Sequence, residues 1–241
     1  MSIKKHIPNC ITLLNLLSGC IALIFVVQQQ PEMAFYFVCL GIFLDFFDGF
    51  FARLFKVSSP LGLQLDSLAD MVTSGVVPGL TLFYMMLNAF GLELNSPFSA
   101  EYAGALVGFL VTLGSCYRLA NFNIDTRQTD SFIGLPTPAN ALFILSLPLV
   151  ITYSNSFILF EILSNYWVLL AIAIGSAYIL NAEIPLFALK VKKLSFKENK
   201  LTFFFLAVSL LLLLLLQFLG IPLVILFYVL LSILNNKFAK K

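Results

Sequence analysis

Charge is scarce in this sequence: only 11% of its 241 residues are Asp, Glu, Lys or Arg, against about 25% in an ordinary soluble domain, and 60% are hydrophobic. That excludes a water-soluble globular protein and indicates an integral membrane protein. Cysteine is nearly absent too. Cys10, Cys20, Cys39 and Cys116 stand alone in or near apolar runs, without the pairing or spacing of a disulfide framework or a zinc site, so they are expected to be reduced packing residues. The single histidine, His6, sits in a basic terminus and reads as an interfacial residue.

In place of charge the chain has apolar length. Crossing about 30 Å of hydrocarbon takes around 20 helical residues, and runs of that length recur throughout, leaving no room for a sizeable soluble domain. The runs lack the alternation of barrel strands, so the expected fold is an all-α, polytopic helix bundle forming one domain. Eight spans are expected, at 7–29, 33–56, 60–90, 100–123, 136–153, 164–185, 201–219 and 221–236. The Leu-rich run ending at Gly220, followed by Ile221 and Pro222, reads as a tight turn between the last two. With both termini on the cytoplasmic side, all 14 Lys and Arg residues fall on that side, while the opposite loops carry only Glu32, Glu93, Glu101 and Glu161. This is the asymmetry that retention of basic residues during insertion produces. The opening "MSIKKHIPNC" leads into a run of spanning length without a small-residue cleavage site, so the first helix is expected to stay.

Against that background four acids stand out, in "FLDFFDGFFARLFKVSSPLGLQLDSLADMV". Asp45 and Asp48 are three apart and Asp66 and Asp70 four apart, so each pair shares one helix face. In mid-membrane a carboxylate costs about 2.5–3.5 kcal/mol, hence about 10 kcal/mol for four without compensation. Ser59 as N-cap and Pro60 in the first turn predict a tight hairpin between the second and third spans. Counting from that turn puts Asp48 level with Asp66, and Asp45 with Asp70, in two rungs roughly 13 and 19 Å along the helices. Like charges so close require cations. Oxygen-only ligands favour two divalent ions, Mg2+ or Mn2+, an arrangement suited to in-line displacement at phosphorus. Gly49 and Ala52 make the acidic stripe small-sided, and Arg53, one turn after Gly49, can fork to phosphate oxygens.

The run Asp45, Asp48, Gly49, Ala52, Arg53, then Gly62, Asp66 and Asp70 resembles the signature DxxDGxxAR, eight residues, GxxxDxxxD of the CDP-alcohol phosphotransferase family, without departure in type or spacing. "IPNCITLLNLLSG", "CYRLANFN" and "FIGLPTPANA" are similar to segments of its integral-membrane branch that makes phosphatidylserine, from about residue 6 to residue 145. The resemblance implies a six-helix core within residues 1–185, often homodimeric, with a polar cavity open to the cytoplasm and lipid chains reaching the bilayer sideways; residues 186–241 would then be two additional helices. It implies that Asp45, Asp48, Asp66 and Asp70 hold two metals and that Asp70 is also the general base. Gly49, Ala52, Arg53, Ser59 and Gly62, with Pro8, Asn9 and Thr12, would surround the CDP part of CDP-diacylglycerol. The acceptor would be L-serine, and the products phosphatidylserine and CMP. No Cys, His or Ser stands out as a covalent nucleophile beside the acids, so one direct displacement is expected.

Asn9, Thr12, Asn15 and Ser18 recur every three residues and form a polar ridge that faces either the nucleotide or a neighbouring helix. Serine brings a carboxylate, for which arginine is the best-shaped partner, so Arg118 or Arg127 is expected to hold it. The Lys190–Lys200 cluster reads either as a site that attracts anionic lipid or as a solvated topology anchor. The signature leaves open another acceptor, glycerol phosphate or an inositol compound. A divalent cation transporter is the other class, disfavoured because no second acidic hairpin supplies a repeated half. No nucleic-acid partner is expected.

Overall fold

A computed structural model describes residues 6–57, 59–125, 133–187 and 199–239, and they are almost entirely helical, with one isolated bridge between Ile133 and Pro185. The helices are α1 (Ile7–Val27), α2 (Pro31–Leu54), α3 (Pro60–Asp70), α4 (Val77–Ala89), α5 (Ala100–Ala105), α6 (Leu110–Ile124), α7 (Thr137–Tyr153), α8 (Phe157–Leu163), α9 (Tyr166–Asn181), α10 (Lys200–Leu216) and α11 (Gly220–Ala239). Proline stands in the first turn of α1, α2, α3 and α7, where its missing N–H has no partner to lose. The cap read from sequence at Ser59 is formed, its hydroxyl accepting from Gly62 N at 3.0 Å.

The central element is the run Pro60–Ala89, with 78% of its apolar window buried. Its two α-helical parts are joined by a π-helical turn, Met71–Val76, immediately after Asp70. Such a widened turn needs room, and small residues on α1 and α2 supply it. A Cβ on Gly19 would stand 2.5 Å from Thr73 Oγ1, and one on Gly41 2.6 Å from Thr73 Cγ2. Thr73 fills that slot and donates to Asn15 Oδ1 at 2.9 Å. Beyond it, α4 buries Val77, Leu82, Phe83, Met86 and Leu87 among α1, α6, α7 and α9.

All eight expected segments contain a helix, but they do not all cross a membrane by the same criterion. Five helices among the described residues are long and apolar enough, Lys200–Asn236 being taken as one, and six if the bent pair α8–α9 is a single span. The sixth expected segment is better described by that pair: α8 and α9 meet at 65°, because Asn165 caps α9 by accepting from Trp167 N at 2.9 Å. Thr137–Tyr153 is a shorter apolar helix. The Lys200–Asn236 run folds back on itself, since Gln217 adopts φ 48°, Phe204 meets Phe227 edge-on and Phe205 stacks against Phe227 across the turn. The cysteines are free, but the packing role expected of them needs correcting: Cys10, Cys20 and Cys116 lie on the exposed surface and only Cys39 is partly buried.

Candidate active site

At the end of the bundle where α1 begins and α2 ends lies a cavity of about 550 Å3. Its wall carries Asp45, Asp48, Gly49, Ala52 and Arg53 from α2, with Gly62 and Asp66 from α3. Pro8, Asn9 and Thr12 of α1 and the cap residue Ser59 complete the predicted set on that wall. Phe46, Val57, Leu63 and Phe122 also line it, apolar residues that reading for chemistry does not single out.

The carboxylates of Asp45, Asp48 and Asp66 each present an oxygen, and these lie within 4.8 Å of one another, a spacing that fits a shared hard cation. The two level rungs are therefore skewed: three acids converge at the cavity, and Asp70 stands one turn deeper, outside the lining residues. Asp70 is held from behind by Asn15, whose Nδ2 donates to its Oδ1 at 3.2 Å. Asn15 in turn accepts from Thr73, so the π-helical turn, α1 and Asp70 form one chain of hydrogen bonds. The Thr12 hydroxyl donates to the Asp48 carboxylate. The polar ridge on α1 thus divides: Asn9 and Thr12 reach the cavity, Asn15 reaches Asp70, and Ser18 serves packing by donating to Phe37 O at 2.7 Å.

Glycine keeps the cavity open where the signature has it. A Cβ at Gly49 would meet nothing nearer than Arg53 Nη2 at 3.8 Å, so any side chain there would project into the cavity. At Gly62 a Cβ would press on Ser59 Oγ at 3.2 Å and Asn9 Oδ1 at 3.3 Å, so glycine permits the close approach of α3 to α1. Arg53 is exposed and anchored through Nε, which donates to Gly49 O at 2.9 Å and leaves its terminal nitrogens available.

Arg118 is 7% exposed, and its Nε and Nη2 have no hydrogen-bond partner among the described residues. Its charge faces Asp70, and its guanidinium lies 5.9 Å from the ring centroid of Phe122, a residue of the cavity wall. A buried guanidinium with two idle donors is costly unless something small and anionic completes it. Arg127 lies outside the described residues. Asn123 donates to Ser67 Oγ at 2.9 Å and ties α6 to α3 behind the acids.

A family model described as CDP-alcohol phosphatidyltransferase matches residues 5–177. The chain belongs to this family. Three relatives are each named CDP-diacylglycerol–serine O-phosphatidyltransferase. The Bacillus subtilis protein is 33% identical over 134 residues, which cover 56% of this chain and 70% of that protein. The Helicobacter pylori J99 protein is 37% identical over 141 residues, 57% of this chain and 55% of its own length. The Saccharomyces cerevisiae protein is 33% identical over 158 residues, 59% of this chain and 53% of its own. The chain thus spans about half the length of the last two. The match to the family ends within α9, before α10 and α11.

Proposed function

We propose that this protein transfers the phosphatidyl group of CDP-diacylglycerol to the hydroxyl of L-serine, giving phosphatidylserine and CMP. The observation that carries the reading is a single cavity on whose wall Asp45, Asp48 and Asp66 converge beside Gly49, Arg53 and Gly62. The relatives' shared name supplies the acceptor.

In this reading Asp45, Asp48, Asp66 and Asp70 hold two divalent cations, Mg2+ or Mn2+, and the all-oxygen donor set of the three converging acids fits such ions. Such ions, held by these residues, would supply positive charge to offset that of the diphosphate and the departing CMP. The chain's own groups do the rest. Arg53 binds phosphate oxygens with its free terminal nitrogens, and Pro8, Asn9, Thr12, Ala52 and Ser59 with the two glycines enclose the nucleotide. Asp70, oriented by Asn15, takes the proton from the serine hydroxyl as its oxygen forms the new bond to phosphorus and the bond to the CMP oxygen breaks. Arg118 holds the serine carboxylate, with Arg127 the other candidate for that task.

The wider arrangement belongs to the same proposal: termini and cavity on the cytoplasmic face of the membrane, a catalytic core in residues 1–185, two further helices in 186–241, and a homodimer as the working unit. The test is purified protein with CDP-diacylglycerol, Mn2+ and, in parallel, serine, glycerol phosphate or inositol. CMP release with serine alone, lost in Asp70→Asn, is the expected result; release with another acceptor in place of serine overturns the assignment.

A further inference from the structure

A second cavity, of about 420 Å3, lies at the opposite end of the bundle, where α1, α4 and α7 finish. We propose that it is a lipid site separate from the aspartate cavity, holding a zwitterionic, ammonium-headed phospholipid from the leaflet opposite the aspartates.

The lining is graded along its depth. Gln29, Asn88, Thr152 and Ser164 belong to helix ends and put amide and hydroxyl groups at the mouth. Met85, Leu145 and Pro148 line it farther in. Thr81, the innermost residue on α4, lies eight residues before the end of that helix, about 12 Å down, and spends its hydroxyl on Val77 O of its own helix. An amphiphile with its head at the surface and a chain pointing inward matches that gradient; water matches only the mouth. One wall is α8, which contributes Phe160 and Leu163 and turns Phe157, Ile158 and Ile162 outward, as a seven-residue helix lying along a membrane surface does.

Charge selects the head group. Among the described residues no Lys, Arg, Asp or Glu lines the cavity, so an anionic head would enter without a counter-ion. The stretches around its mouth, 28–33, 88–101 and 152–166, contain Glu32, Glu93, Glu101 and Glu161 and no basic residue. Glu32 and Glu161 directly follow the lining residues Pro31 and Phe160. These two acids beside the lining repel lipids of net negative charge and attract an ammonium, while the amides of Gln29 and Asn88 are donors for the phosphate of the same head. CDP-diacylglycerol and phosphatidylserine both carry net negative charge, which sets this site apart from a second substrate or product site.

The test uses the full chain in nanodiscs of phosphatidylethanolamine or of phosphatidylglycerol, each doped with the same-headed lipid carrying a diazirine on its acyl chain. The ethanolamine probe should label Tyr84–Ala89 and Leu145–Thr152 at least fivefold more than the glycerol probe. Ala89→Trp, which fills the mouth, should bring that labelling down to the glycerol level while the protein still elutes as one folded species; Thr152→Trp serves if the first variant does not fold. Equal labelling by both probes, labelling that neither tryptophan alters, or cross-links at these peptides between two copies of the chain would overturn the proposal. None of these readouts depends on phosphatidyl transfer.

Discussion

The α2–α3 and α10–α11 hairpins share a design, two apolar helices folded back across a short turn, and differ in what their facing sides carry. Between α10 and α11 the contacts are rings, Phe204 and Phe205 on Phe227 and Tyr228, and the buried Ser232 hydroxyl is satisfied within its own helix by Tyr228 O at 2.8 Å. Only 11% of that run's apolar window is buried, so most of the hairpin faces lipid and stands on its own hydrogen bonds. The α2–α3 hairpin carries four carboxylates on apolar helices and needs partners from outside itself, Thr12 and Asn15 of α1 among them. A hairpin that only has to sit in lipid needs few polar partners from outside itself, here Pro185 O for Asn236 and Phe187 O for Tyr228. One that performs chemistry depends on its neighbours, and that dependence is what substitutions expose.

The largest contrast is expected from the acids. Asp66→Asn keeps the shape of the side chain but removes one of the three converging charges, and CMP release should fall by roughly a thousandfold or more. Leu214→Ala, on the lipid-facing side of α10, should leave the rate unchanged. A chelator should abolish wild-type turnover, with Mg2+ or Mn2+ restoring it; turnover that survives chelation would remove the cations from the account of why α2–α3 tolerates its acids.

Next in size is the support from α1. Asn15→Ala deletes the donor to Asp70 and the acceptor for Thr73 together, and partners of this kind change activity by roughly 10–100-fold when lost. The loss should appear in kcat and in the Mg2+ concentration for half-maximal rate, with the KM for serine little changed. Arg118→Lys sharpens the comparison from the other side. It keeps the charge facing Asp70 but loses the planar fork, so the KM for serine should rise about tenfold and the KM for CDP-diacylglycerol should stay put. If both constants move together, Arg118 is holding the fold and not the acceptor.

Much of this division is legible in the residues themselves. The acids announce their shared faces through spacings of three and four, and Ser59–Pro60 announces the turn, because both signals are local. What escapes is whatever depends on distant parts of the chain. Thr73 and Asn15 are 58 residues apart, and nothing in "MVTSGV" indicates that the helix widens there; the widening answers to the slot left by Gly19 and Gly41. The skew that draws Asp66 to Asp45 and Asp48 while leaving Asp70 behind depends on how α2 and α3 sit against each other, which a count of residues from the hairpin leaves out: both acids lie on regular helix, before the widened turn. The bend between α8 and α9 was in principle readable, since Ser164–Asn165 is a cap signal inside an otherwise spanning run. The exposure of Cys10, Cys20 and Cys116 was not, because in lipid an outward cysteine carries no penalty that composition could reveal.

The smallest expected effect lies where α10–α11 meets the rest of the bundle. Tyr228 donates to Phe187 O at 2.9 Å and packs its ring 4.9 Å from that of Phe187, and Leu135, Leu186 and Phe205 complete the cluster around it. Tyr228→Phe keeps the ring and deletes the hydroxyl, leaving the Phe187 carbonyl to find another donor. The loss should be about 1 kcal/mol of stability, read as a small drop in unfolding midpoint in detergent, with no change in CMP release. Retained activity would show that this hairpin serves the bundle as packing alone. A loss of activity comparable to that of Asn15→Ala would instead mean that α10–α11 controls the neighbouring Ile133–Pro136 connection, where Leu135 N donates to Ile179 O at 3.0 Å, and through it α7 and the catalytic end.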